Sequence, residues 1–395
     1  MIESCDVLVA GGGPAGSTCA RKLREAGLDV LLLDKAEFPR DKVCAGWITP
    51  PVLDALGLDP ADYARDRVFQ PIQAFRAGSI GGPPVDVDFP QPVSFGIRRC
   101  EFDHYLLARC GARLRLGEPL KTLERSKDGW VVNDRYQAPM LVGAGGHFCP
   151  VAQNLGQQPD RTQPVVAAQE IEFLLDARQQ AECPVEGHRP ELYFCRDLMG
   201  YGWCFRKGDF LNVGLGREDH HRLSEQVAAF CDYLKGEGRI PRDTPGRMRG
   251  HAYLLFQHSP RKLLEDGVVL VGDAAGLAYS ESGEGIRPAI ESGLLAAGVI
   301  LEAAGDYRRQ RLAAYGELIG GRFGKRPGQR PGAGLPPSRW RQFLGAQLLA
   351  TRWFVRRVVI QRWFLHAAQP PLAVPWRVDV TRPLPNHQPP DEPGI

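Results

Sequence analysis

The sequence predicts an α/β (α+β) fold, in which a parallel nucleotide-type sheet is interrupted by an inserted β-sheet domain and followed by a C-terminal helical segment. Three observations carry this expectation. Strand-sized apolar runs stand at Asp6–Ala10 and Val30–Leu33, with a glycine turn and a helical stretch between them. A third such run returns much later, at Val268–Val271. The intervening residues alternate in the two-residue period of half-buried strands. A chain of 395 residues has room for two or three folding units. With 43% hydrophobic and 24% charged residues, disordered, collagenous and coiled-coil classes are excluded. No run of about 18 uncharged apolar residues occurs, so no membrane-spanning helix is expected. The start, Met1-Ile2-Glu3-Ser4-Cys5-Asp6, has neither a basic nor an apolar signal region, so the expected location is cytoplasmic. The ten cysteines never form C-x-x-C and read as thiols, not as a disulfide framework or metal centre.

The elements follow in order. After the first strand, Ala15, Cys19, Leu23 and Ala26 hold helical spacing, and Gly27 stops the helix. Val30–Leu33 ends at Asp34, completing a βαβ start. Residues 68–98 are rich in Pro and Gly with short alternating pieces, which predicts β-structure outside the nucleotide fold. Glu101–Arg109 returns to helix. Residues 163–255 are mostly β, with Glu191–Phe194 and Leu211–Leu215 the clearest strands and one helix near 222–235. Gly285–Ala304 reads as a long helix. Arg322–Pro337, rich in Gly and Pro, reads as a linker, and residues 339–366 carry apolar groups at helical spacing. The Pro-rich end from Pro370 reads as extended.

Charge is divided unevenly along the chain. Net charge is +3, yet 318–378 contains eleven basic residues and no acid, which leaves 38 basic against 46 acidic residues, net −8, elsewhere. Four of the seven tryptophans, at 340, 353, 363 and 376, share that segment. An aromatic, arginine-rich helix suits an anionic lipid surface or the protein's own acidic body better than nucleic acid. Both outcomes are open.

Gly11, Gly13 and Gly16 form G-x-G-x-x-G between strand and helix, the arrangement that brings a pyrophosphate to a helix N-terminus. Asp34 lies eighteen residues past Gly16, where a carboxylate accepts ribose hydroxyls. Together these predict a Rossmann-like dinucleotide site. Val268–Gly276 then places Asp273 just past a buried strand, and Gly283-Glu284-Gly285-Ile286 opens a helix. That second block favours FAD over NAD, because an extended FAD needs an acid at its ribityl–pyrophosphate portion and a helix N-terminus at the flavin. The expected division is an FAD-binding domain in three parts (1–70, 99–160 and 259–321), substrate-domain segments (71–98 and 161–258), and a basic linker with a helical segment (322–395). The His220-His221 pair has no acid or Cys at metal spacing, and no metal site is expected.

These blocks resemble the geranylgeranyl reductase family, within the flavoproteins that share the p-hydroxybenzoate hydroxylase fold. The resemblance rests on Gly11–Gly16 with Asp34, Lys42-Val43-Cys44-Ala45-Gly46, Arg99-Cys100-Glu101-Phe102-Asp103, Tyr201–Asp209, and Gly272–Ile286. It implies FAD contacts from Ala15, Asp34, Ala45, Gly46, Arg99, Asp273, Gly285 and Ile286. It places Cys44 beside the flavin ring and lines a substrate cavity with Tyr201, Trp203 and Phe205. Cys44 reads equally as a proton donor or as a small packing residue, and the two aromatics Tyr201 and Trp203 equally as core. This chain departs from the family at Ala45, at Arg206 where the family has Pro, and at Gly145-Gly146 where flavin hydroxylases carry Asp-Gly. Gly276, where aromatic hydroxylases have His, favours the reductases.

The implied activity is reduction of C=C bonds in a hydrophobic, polyprenyl-type substrate by hydride from reduced flavin N5. An external electron donor, NAD(P)H or a redox protein, is required. The alternatives are a flavin monooxygenase acting on an apolar or aromatic substrate and a membrane-associated electron-transfer flavoprotein.

Overall fold

The computed structural model describes residues 2–157, 165–219, 222–324 and 338–373. The His220-His221 pair, most of the expected linker and nearly all of the Pro-rich end lie outside them.

The apolar runs predicted as strands build a six-stranded sheet in the order Leu264–Glu265, Val268–Leu270, Met140–Gly143, Val7–Ala10, Val30–Asp34 and Arg113–Leu116. All neighbours run parallel except the first pair. Both faces are covered, which is why Val7–Ala10 and Val30–Asp34 are buried throughout and read as unbroken apolar runs. Helices Pro14–Glu25 and Ile286–Ala303 pack on one another here. Gly293 permits the approach, since a Cβ there would stand 2.5 Å from the Ala15 carbonyl oxygen. A small four-stranded sheet of Glu3–Ser4, Tyr136–Ala138, Gly129–Val132 and Leu123–Ser126 adds to this domain.

The inserted domain is a seven-stranded sheet ordered Arg249–Leu254, Val165–Leu174, Phe210–Arg217, Gly200–Lys207, Glu191–Phe194, Ala74–Ser79 and Val85–Asp88. Its two faces separate by the strand period. Tyr193, Cys204, Leu211 and Val213 face helix Leu223–Gly236 through Val227, Phe230 and Leu234. Leu192, Phe194, Trp203 and Phe205 face the other way, against Trp47, Ile72 and the C-terminal segment. A three-stranded sheet of Trp47–Ile48, Ser94–Ile97 and Phe69–Ile72 joins the two domains.

Two expectations are corrected. Arg322 and Phe323, expected in the linker, belong to a helix, Arg309–Phe323. The single helix expected over 339–366 is an α-helix Arg339–Leu349, a break at Ala350–Thr351, a turn Arg352–Phe354 and a π-helical run Val355–Phe364. Apolar spacing alone does not separate i+4 from i+5 contacts, so the change of helix type was not visible in the sequence. Among the described residues, no helix is long and apolar enough to cross a membrane.

Candidate cofactor and substrate site

The carboxyl ends of Val7–Ala10 and Val30–Asp34 open onto the glycine turn. Gly16 is obligatory there, because a Cβ would stand 1.9 Å from the Gly11 carbonyl oxygen. Helix Pro14–Glu25 begins with no side-chain cap on Gly13, which leaves its first N–H groups for a phosphate. The Asp34 carboxylate accepts from the Gly12 N–H at 2.7 Å and the Ala36 N–H at 2.9 Å. It is thereby fixed with further lone pairs for sugar hydroxyls. The Arg40 guanidinium reaches the Gly13 turn, pairs with Asp103 at 3.3 Å and lies over the Phe38 ring.

A cationic cluster surrounds Asp273. Lys42 Nζ is 2.7 Å from His251 Nε2, and the same ring nitrogen is 3.4 Å from Asp273 Oδ2. One nitrogen accepts from Lys42 or donates to Asp273, not both at once. Burial works against the Asp273 charge, but the His251 hydrogen bond and the charges of His251, Lys42 and Arg99 outweigh it and bring the carboxyl down to about 2. Burial lowers Lys42 to about 8, with Asp273 opposing, and also lowers His251. Arg99 is buried in a two-pronged pair with Asp103 at 2.8 and 2.9 Å. A Cβ on Gly285 would meet Asp273 Oδ1 at 3.3 Å, so the structure joins the two downstream positions. At the helix start, Arg287 N–H donates to Glu284 Oε1 at 2.7 Å.

The donor set suits FAD: free helix amides with Arg40, Lys42 and Arg99 for the pyrophosphate, and Asp34 and Asp273 as acceptors for sugar and ribityl hydroxyls. The Cys44–Gly46 loop lies against both domains. Cys44 N–H donates to Glu170 at 2.6 Å, Gly46 N–H to Cys44 Sγ at 3.4 Å, and Lys207 Nζ to Ala45 O at 3.0 Å. Gly46, at φ +70°, would put a Cβ 2.1 Å from Ile97 O; only glycine makes this turn.

Residues 4–197 match the FAD binding domain family. The menaquinone reductase of Mycobacterium tuberculosis is 30% identical over 317 residues, covering 75% of this chain and 76% of that one. Digeranylgeranylglycerophospholipid reductase 1 of Methanothermobacter thermautotrophicus is 28% identical over 346 residues, covering 80% and 83%.

The chain belongs to the geranylgeranyl reductase family of FAD-dependent oxidoreductases.

A geranylgeranyl bacteriochlorophyll reductase-like protein from Thermoplasma acidophilum has the same fold, with a TM-score of 0.68, 23% identity, and 91% and 92% of the two chains covered. In this reductase a cavity of about 230 Å³ lies between the seven-stranded sheet and the C-terminal segment. Its walls are Phe194, Leu198, Leu349, Phe354 and Trp363, and Tyr201, Tyr253 and Ser282–Gly283 line it as well. Tyr201 OH donates to Ser282 O at 2.5 Å. Both tyrosines are half-buried, and the charge of Cys44 reaches them.

Of the three expected substrate residues, Tyr201 alone is in the cavity wall. Trp203 is buried with Nε1 on Asn212 at 2.7 Å, and Phe205 packs on Trp47. Reasoning from the sequence missed Glu170, His251 and Tyr253. The period-two pattern places His251 with Tyr253 on one strand face, and Glu170 with Glu172 on another. Nothing in the sequence shows that a loop covers the glutamates.

Proposed function

We propose that this reductase saturates carbon–carbon double bonds in a polyprenyl-type lipid chain. The observation that carries the reading is the largely apolar cavity, which runs from the Tyr201–Ser282 contact to the C-terminal helix and has Arg217 and Glu218 among its few charged members. An isoprenoid chain matches walls of this kind, since it has no polar group to leave unpaired. The relatives named for a digeranylgeranylglycerophospholipid and for menaquinone support it, because both of those lipids carry polyprenyl chains. FAD, reduced by NAD(P)H or a redox protein, supplies the hydride when bound. The chain's own work is to hold the cofactor through the Gly11–Gly16 turn, Ala15, Asp34, Arg99, Asp273, Gly285 and Ile286. Cys44, with Ala45 and Gly46, would stand beside the ring, and the thiol would give the second carbon its proton. Tyr201 positions the alkene.

The outer side of the C-terminal segment is where the lipid enters. Trp340, Phe343 and Trp353 are 67%, 55% and 68% exposed, among Arg339, Arg341 and Arg352, which is how interfacial helices are built. The same segment buries Val355, Val359, Ile360 and Phe364 against the body. Packing and lipid contact therefore use different sides.

The test is anaerobic reduction of the holoenzyme followed by mixing with polyprenyl lipid or with oxygen. Fast reoxidation by lipid with slow reaction with oxygen supports the reductase. A transient oxygen-adduct spectrum supports the monooxygenase, and reoxidation by quinone with no saturated product supports electron transfer.

A further inference from the structure

Glu170 is an inward-facing carboxylic acid in a place where the cations are already taken. It is 5% exposed. One oxygen accepts the Cys44 N–H at 2.6 Å, and the other, Oε2, has no hydrogen-bond partner. Every charged neighbour is turned elsewhere. On its own strand Glu172 draws Lys207 Nζ at 2.5 Å and Arg98 Nε at 3.0 Å. From the paired strand, Asn212 gives its amide to Cys44 O at 3.3 Å and Glu172 at 3.4 Å. Arg249, opposite Glu170 on the other paired strand, is bound to Asp41. Glu170 has no ion-pair partner among the described residues.

A buried carboxyl without a counter-ion keeps its proton. Burial pushes this one up to about 7, with Glu172 adding to it, against the opposing pull of the Cys44 N–H, Lys207 and the Asn212 amide. The protonated carboxyl then sits against the backbone of Cys44, whose own side chain lies on the Arg99 guanidinium.

We propose that Glu170 is the acid that restores the proton at Cys44. This rests on the reductase reading. Hydride goes to one alkene carbon and the Cys44 Sγ proton to the other, which saturates the bond and leaves a thiolate. The proton of Glu170 Oε2 passes to that thiolate, water reprotonates Glu170, and the external donor returns two electrons to the cofactor. Glu170 acts through Cys44 and is a positioning and proton-holding residue.

Infrared difference spectra of holoenzyme against Glu170→Gln, with single-turnover lipid reduction and product counting, form the test. Gln keeps the acceptor for the Cys44 N–H, and flavin content reports whether the fold survives. The expected result is a protonated-carboxyl carbonyl band below neutral pH that is absent in Glu170→Gln and fades as pH rises through about 7. Repeated turnover in Glu170→Gln falls on the order of a hundredfold, while the first turnover, which uses the proton already on Cys44, changes little. Glu170→Asp restores part of the loss. A missing band, or Glu170→Gln matching wild type over repeated turnovers, overturns the proposal. A wild type that saturates no lipid instead overturns the reductase reading, and this role with it.

Discussion

Asp273 and Glu170 are two carboxyl groups that the same molecule treats in opposite ways. Asp273 is ringed by Lys42, His251 and Arg99, and stays ionised. Its contribution to stability is present above its ordinary value of 3.8 and is lost as pH falls toward 2. Replacing it by Asn removes a charge-assisted acceptor of about 1.5–3 kcal/mol, so FAD affinity should fall between about tenfold and a hundredfold. Titration of the apoprotein with FAD measures this, and unchanged affinity would remove Asp273 from the cofactor site. Glu170 runs the other way. Its folded value is raised above 4.5 to about 7, so its contribution is complete below 4.5 and is lost as pH rises through the folded value. The span corresponds to roughly 3 kcal/mol. Glu170→Gln should therefore flatten the dependence of unfolding free energy on pH between those limits, as read by urea denaturation at a series of pH values. A slope equal to that of wild type would mean the carboxyl is ionised in the fold.

The C-terminal segment is one element with two jobs. Phe364, 4% exposed, stacks on Trp47 at 5.3 Å and meets Tyr201 edge-on at 5.3 Å. Further along, Tyr279 stacks on His366 and binds Gln369, while Arg287 donates to the Gln369 and Pro370 carbonyls. These contacts clamp the segment to the helix that opens at Gly285. Phe364→Ala should cost about 3–5 kcal/mol, seen as a lower denaturation midpoint and faster proteolysis between 338 and 373. Unchanged proteolysis would mean that the clamp does not depend on this ring. The opposite side bears the exposed tryptophans. Each basic residue near an anionic leaflet contributes about 1 kcal/mol, so co-sedimentation with anionic liposomes should weaken as salt rises. It should fall further in a Trp340→Ser, Phe343→Ser, Trp353→Ser variant. Equal binding to neutral vesicles, or none to any, would contradict the lipid contact.

At the scale of the molecule, what the sequence disclosed is what local chemistry dictates. The glycine turn, Asp34 and the buried strands are short-range necessities, and they reappear at the expected residues of the six-stranded sheet. The Tyr201–Asp209 block was legible as a strand, but the wall of the cavity was not. Which aromatic faces a cavity depends on the partner that covers the sheet, and Trp203 and Phe205 are claimed by Asn212 and Trp47. Glu170 drew no notice in the sequence, and only the Cys44–Gly46 loop, more than a hundred residues earlier, makes it interior. The break at Ala350 and the π-helical run were hidden for a related reason, since helix type follows packing on the sheet. All of these features converge on one claim, that the cofactor loop and the apolar cavity serve a single hydride transfer. The most direct measurement is anaerobic mixing of the dithionite-reduced holoenzyme with a polyprenyl lipid, following flavin absorbance and analysing the lipid by mass spectrometry. Rapid flavin reoxidation with one double bond saturated per flavin is expected. Reoxidation by oxygen through an adduct while the lipid stays unsaturated would contradict it.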